Sequence, residues 1–451
     1  MPIETLPDTD FQYYLIAFDA DGNERTDDPD GQMSDRVTEV LAREPVTDVF
    51  LFCHGWLSDI PASRRQYRRW IRAVLDRRED LARFEEIQPG FYALAVGLHW
   101  PSMPWGDYDL EASPLSVGFD GARPHPPVAH LVDRYARRIA DTPTARAALE
   151  TIFNAAIDNI APDTLPRAVR EAYHVLDRES GLYGRGVGAT PSGDRDPFDP
   201  ERTFIAARRE ALSFGGFSWG GLLAPLRTLS FWKMKDRARQ FGENGAFNLL
   251  ANLQRVGGDQ VRFHLMGHSF GCIVASAALT GDPADASPNR PVNSLLLAQG
   301  ALSHWSYCPD IPLAPGTPGH FHSLIADRLV AGPIAITRSK WDTALSKWYP
   351  LAASAAGWVG RSMSFYSTAN PPKYAALGTL GASGGPDFTP VDGNLLPATA
   401  HYPFEPGVIY NLDGDEFIRE GGGPQGAHND LARPEVAHLM WEAALASVNN
   451  N

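Results

Sequence analysis

The chain is poor in cysteine, with Cys53, Cys272 and Cys308 alone among 451 residues. Their odd number and wide spacing argue against a disulfide framework or a Cys-x-x-Cys motif, and fit reduced thiols. Positive charge is not in excess: 40 Lys and Arg face 54 Asp and Glu, a formal net charge of −14. An acidic chain suits a phosphate backbone badly, and there is no basic run or basic–aromatic face, so nucleic acid is not an expected partner. Apolar runs of about 18 residues are also missing, so no segment is expected to span a membrane. The opening Met-Pro-Ile-Glu-Thr-Leu-Pro-Asp has neither a basic n-region nor an apolar h-region. A cytoplasmic location is therefore the expectation. No internal repeat is visible.

Glycine is abundant, at 41 residues, and its placement is informative. The apolar stretch Val261–Met266 runs into Gly267-His268-Ser269-Phe270-Gly271, and the small-residue segment Cys272–Leu279 follows. This reads as strand, sharp turn and helix. Such a turn puts its central serine in strained backbone and leaves no room for side chains two residues away, which Gly267 and Gly271 satisfy. The turn raises the Ser269 hydroxyl above the sheet and sets it at a helix N-terminus, which favours developing negative charge. The same five-residue spacing occurs around Ser218 and Ser383. Ser218 does not follow a buried strand, and Ser383 lies in a Gly/Pro-rich loop with no helix after it. Context selects Ser269.

The remaining elements follow from periodicity. Strands are expected at Phe11–Phe18, Val46–Cys53, Phe91–Trp100, the stretch before Ser269, Ser294–Gln299, Gly332–Thr337 and Gly407–Leu412. Helices are expected near 63–84, 230–256, 341–358 and 433–447. Alternation of this kind predicts an α/β fold, with a mostly parallel central sheet and helices on both faces. Residues 103–230 interrupt it with amphipathic helices and loops. The expected organisation is a core of 1–102 and 231–451, with 103–230 inserted as a helical cap.

Serine chemistry needs a base, a carboxylate to orient it and donors for an oxyanion. Asp342 lies just beyond the Gly332–Thr337 strand, and His428 follows the last strand after a Gly-rich loop. The chain order Ser269, Asp342, His428 is the one expected of such a sheet. Asp413 and Asp415 are rivals for the carboxylate but lie on an expected hairpin turn. His401 and His438 are less suitably placed than His428. His54-Gly55-Trp56, after the Val46–Cys53 strand, sits where a second oxyanion donor is needed, so the Trp56 and Phe270 N–H groups are the expected hole. His54, Gly55 and His268 are expected to position rather than react. His320-x-His322 lacks a third ligand at sensible spacing, so no metal and no cofactor are expected.

Residues 46–102 and 230–447 resemble the α/β-hydrolase superfamily, in particular its lipase/esterase-like serine hydrolases. The likeness rests on Phe52-Cys53-His54-Gly55-Trp56, Gly267-His268-Ser269-Phe270-Gly271, Thr337–Asp342 and Gly426–Asp430. The segment Phe231–Ala238 is similar to one found in poorly characterised bacterial members. The resemblance implies an α/β-hydrolase fold and carboxylic-ester hydrolysis through an acyl-enzyme. In the insertion, Phe214, Phe217, Trp219, Leu222 and Leu223 either line an acyl pocket, which favours an apolar acyl group, or form the cap's own core. The expected partner is a small-molecule or lipid-like ester. Two alternatives stand beside this reading: an interfacial lipase or phospholipase with peripheral membrane contact, and a non-catalytic scaffold on a hydrolase fold.

Overall fold

The computed structural model describes residues 3–27, 31–102, 127–159, 161–213, 221–282, 289–354 and 371–448. Nine strands form one sheet: β1 (Ile3–Thr5), β2 (Gln12–Ala17), β3 (Asp48–Cys53), β4 (Ala93–His99), β5 (Arg262–His268), β6 (Ser294–Ala298), β7 (Ile334–Arg338), β8 (Val391–Asn394) and β9 (Ile409–Asp413). Their order is β1-β2-β4-β3-β5-β6-β7-β9-β8. Only the β1–β2 pair is antiparallel. The fold is therefore α/β with a mostly parallel sheet. Its central strands β3, β5 and β6 are buried along their whole length, as strands covered on both faces must be.

Strand alternation sends Phe50, Phe52, Met266 and Leu296 into one core, with Tyr67, Trp70, Phe84 and Trp441 from the helices Ile60–Leu75, Arg78–Ile87 and Pro434–Val448. On the other face Leu51, Cys53 and Leu265 share an apolar lining with Leu250, Val274 and Ala278. Helix Ile60–Leu75 begins where the Asp59 carboxylate accepts from the Ala62 N–H at 2.6 Å, with Pro61 in the first turn. That cap is worth about 1 kcal/mol. Burial of Tyr67, Trp70 and Ile71 outweighs it, at about 1.5–3 kcal/mol for each large apolar side chain.

The single helix expected near 63–84 is two helices. Arg77 leaves helical geometry at φ −79°, ψ 65°, and its guanidinium binds Asp80 and the Ala398 carbonyl. The turn this creates lets Phe84 reach the core. β1 and β8 were not expected. Both are edge strands of three and four residues, and β8 carries no buried residue. Their partners' ladders hold them, so they leave no apolar pattern to read.

The chain divides into two compact units. The sheet unit comprises 1–102, 237–349 and 366–451, and the second comprises 103–236 and 350–365. The later boundary thus falls at Asp236/Arg237, not at 230/231. Residues 350–354, expected in the core, join the second unit, where Ser354 Oγ donates to Asp196 at 2.6 Å and Asp196 N–H donates to the Ala353 carbonyl at 2.9 Å. This unit is helical: Val128–Ile139, Pro143–Asp158, Arg167–Glu179, Pro200–Ser213 and the first part of Ala224–Phe241. Leu131, Tyr135, Ile152, Phe153, Tyr173 and Leu226 are among its core residues. No helix among the described residues is long and apolar enough to cross a membrane.

Candidate active site

Ser269 follows β5 directly and has φ +55°, a left-handed value rare for residues other than glycine and one that stores strain. The neighbouring glycines make the turn possible. A Cβ on Gly267 would lie 2.5 Å from the Gly271 carbonyl oxygen, and one on Gly271 would strike the Cys53 carbonyl oxygen. The helix Gly271–Thr280 starts at this point.

Two loops bring partners to the hydroxyl. His428 Nε2 lies 2.9 Å from Ser269 Oγ, and His428 Nδ1 lies 2.7 Å from Asp342 Oδ2. Nδ1–H therefore donates to the carboxylate, and Nε2 is left to accept from the serine. Asp342 is fully buried; Ser269 and His428 are 5% and 8% exposed. Asp342 also accepts from the Leu345 N–H at 2.9 Å and from the Gln299 side chain at 3.0 Å. The loop carrying His428 is held at its base by Asp430, whose carboxylate accepts from the Arg419 and Glu420 N–H groups and from Arg433.

The His268 ring donates from Nε2 to the His428 carbonyl at 2.9 Å and accepts at Nδ1 from Gln66 Nε2 at 3.1 Å. Burial, reinforced by the neighbouring His428, pushes the His268 imidazole down to about 3. It is thus a neutral clip between the end of β5 and the histidine loop. Gln66 and Gln299 were not singled out in the sequence. A lone glutamine on a helix or after a strand carries no signal until the topology is known.

The turn after β3 approaches the serine from the other side. A Cβ on Gly55 would lie 2.6 Å from Ser269 Cβ and 3.2 Å from its Oγ, so only glycine fits. The turn is fixed by the Tyr67 hydroxyl accepting from His54 N–H, by Trp100 Nε1–H on the His54 carbonyl, and by Ser102 bonding the Ser58 backbone. His54 donates from Nδ1 to the Gly55 carbonyl at 2.8 Å, and its Nε2 accepts from His99 Nδ1 at 3.0 Å. Burial, with His99 adding to it, holds its imidazole well below the ordinary range. The Trp56 ring stacks on Phe270 with centroids 5.8 Å apart. The Gly55–Trp56 and Phe270–Gly271 backbones thus flank Ser269.

Other sequence candidates have different surroundings. Asp413 accepts from the Asp415 N–H, and Asp415 accepts from the Lys340 N–H. Ser383 bonds His304 Nδ1 at 2.7 Å, but His304 Nε2 is spent on the Pro372 carbonyl and the pair is buried. Ser218, Phe214, Phe217 and Trp219 lie outside the described residues. Leu222 and Leu223 are 1% and 7% exposed inside the core of the helical unit, where the cap-core alternative places them. Burial raises the Cys53 and Cys272 thiols, so neither is a ready thiolate. His401, His438 and Glu442 place ligand-type atoms within 4.8 Å of one another. Both His438 nitrogens are already bonded, to Asp80 and the Ala400 carbonyl, and Glu442 pairs with Arg83. That chemistry disfavours a metal.

No family model matches the chain, and neither the curated proteins nor the solved structures contain a significant match.

Proposed function

We propose that the chain is a serine hydrolase of the α/β-hydrolase fold that cleaves a carboxylic ester. The carrying observation is the continuous hydrogen-bond chain Ser269 Oγ, His428, Asp342, with links of 2.9 and 2.7 Å. Supporting it are the left-handed serine at the end of a central parallel strand and the chain order serine, aspartate, histidine.

On this reading His428 Nε2 takes the Ser269 proton as Oγ attacks the ester carbonyl. Asp342 holds the ring in the required tautomer and stabilises the imidazolium. The carbonyl oxygen becomes an oxyanion, received by the N–H groups of Trp56 and Phe270 at the helix N-terminus. The imidazolium gives its proton to the departing alcohol, leaving an acyl-Ser269. Water then repeats the sequence, with His428 again as base, and frees the acid and Ser269.

The test is labelling with a fluorophosphonate serine-hydrolase probe, read beside hydrolysis of a p-nitrophenyl ester series. Wild type should label and Ser269→Ala should not. A folded wild type that neither labels nor cleaves esters, with or without detergent, would sink the reading and leave a binding protein.

A further inference from the structure

Asp342 is oriented by a second device, outside the serine–histidine–aspartate chain. Gln299, the residue after β6, is fully buried and adopts φ +47°. A long polar side chain in left-handed backbone is an unfavourable choice at a buried position unless its polar atoms find partners. Both do here. Gln299 Nε2 donates to Asp342 Oδ2 at 3.0 Å. Its Oε1 accepts from the Thr337 hydroxyl at 3.2 Å, and that hydroxyl oxygen accepts in turn from Gln299 N–H at 3.2 Å. The acceptor-only Asp342 carboxylate sets the amide's direction, because a flipped amide would turn Oε1 onto it, and the Thr337 proton then meets Oε1. Gly378 closes the space: a Cβ there would lie 2.5 Å from the Gln299 carbonyl carbon.

We infer that Gln299, aligned by Thr337, is a positioning residue that anchors Asp342 Oδ2 against His428. The inference rests on the hydrolase reading. Leu345 N–H holds Oδ1 and Gln299 holds Oδ2, so the carboxylate cannot rotate away from Nδ1. Oδ2 accepts two N–H groups, from His428 and Gln299.

The split between kcat and KM separates this from a role in folding alone: a carboxylate displaced from Nδ1 slows the proton transfer and leaves substrate binding unchanged.

The experiment measures p-nitrophenyl ester kcat and KM for wild type, Gln299→Leu, Thr337→Val and Thr337→Ser, with thermal unfolding of each. In Gln299→Leu kcat should fall about ten-fold with KM little changed. Thr337→Val keeps the glutamine but frees its amide, so its kcat should fall by less, and Thr337→Ser, which keeps the hydroxyl, should restore the wild-type value. If Gln299→Leu does not fold, the two Thr337 variants decide alone. An unchanged kcat in the folded variants overturns the inference and leaves the hydrolase reading standing. A wild type that neither labels nor cleaves esters overturns both.

Discussion

Asp342 and Gly426 face one another as an isolated antiparallel bridge, and the next N–H, that of Ala427, donates to the Trp341 carbonyl at 2.9 Å. The loop after β7 and the loop after β9 are thus joined by backbone one residue from Asp342 and one residue from His428. The spacing of carboxylate and imidazole depends on this bridge as much as on their own hydrogen bond.

Gly426 has φ +58°, and a Cβ on it would strike the Trp341 carbonyl oxygen and lie 3.0 Å from Thr343 N. Gly426→Ala should therefore separate the two loops. The left-handed strain alone costs about 1–2 kcal/mol. Displacing a reacting group by about 1 Å costs on the order of 10²-fold in rate. Probe labelling is expected to slow by about that factor while the protein remains folded, as checked by circular dichroism. Wild-type labelling in this variant would show that the bridge does not set the geometry.

Gly55→Ala tests the turn beside the serine. Its new methyl would meet Ser269 Cβ at 2.6 Å, pushing the serine and the Trp56 N–H apart. Loss of one oxyanion donor lowers kcat by about 10²–10³-fold. A similar fall in p-nitrophenyl ester turnover is expected, with much less change in KM than in kcat.

Asp342→Asn keeps the shape at a fully buried position but offers an N–H to His428 Nδ1. The imidazole then carries its proton on Nε2, facing Ser269, and cannot accept. Turnover should drop on the order of 10⁴-fold. A variant retaining a tenth of wild-type turnover would remove Asp342 from the proposed chain.

The His438–Asp80 pair, 2.8 Å long, makes a prediction about stability. Burial opposes the His438 charge, but the bond to Asp80 outweighs it and raises the imidazole above its ordinary value of 6.5. Burial likewise opposes the Asp80 charge, and bonds from His438 and Arg77 outweigh it and hold the carboxyl below 3.8. The histidine's contribution is therefore complete below pH 6.5 and is lost as pH rises through its elevated folded value. The aspartate's is present above 3.8 and is lost as pH falls through its depressed one. The gap in Tm between wild type and His438→Gln should be wider near about pH 5.5 than near about pH 8.5. A gap that widened with alkalinity would contradict the sign.

Ser269, Asp342 and His428, the residues singled out by motif and spacing, are the ones the fold brings within hydrogen-bonding distance. Ser269 is legible because its turn is a local demand, written into Gly267 and Gly271 within five residues. Asp342 and His428 are legible from their places after expected strands. Gln299, Gln66 and His99 are not, since their bonding partners lie 43, 202 and 45 residues away. The edges β1 and β8, and the break at Arg77, escape for a related reason. Ladder and side-chain bonds to distant chain define them, and their own apolar pattern does not.

What the sequence determined by itself is local: the apolar runs that must be buried strands, the amphipathic helices that cover them, and the glycine spacing that permits a left-handed serine. Only the tertiary structure decided the strand order, the placing of Leu222 and Leu223 in a helical core, and the meeting of Asp342 with His428 across 86 residues. The physical reason is the range of the forces that leave a trace. Periodicity and backbone sterics act over a few residues and are written where they act. Register and loop closure join groups remote in the chain, and nothing at either residue names its partner.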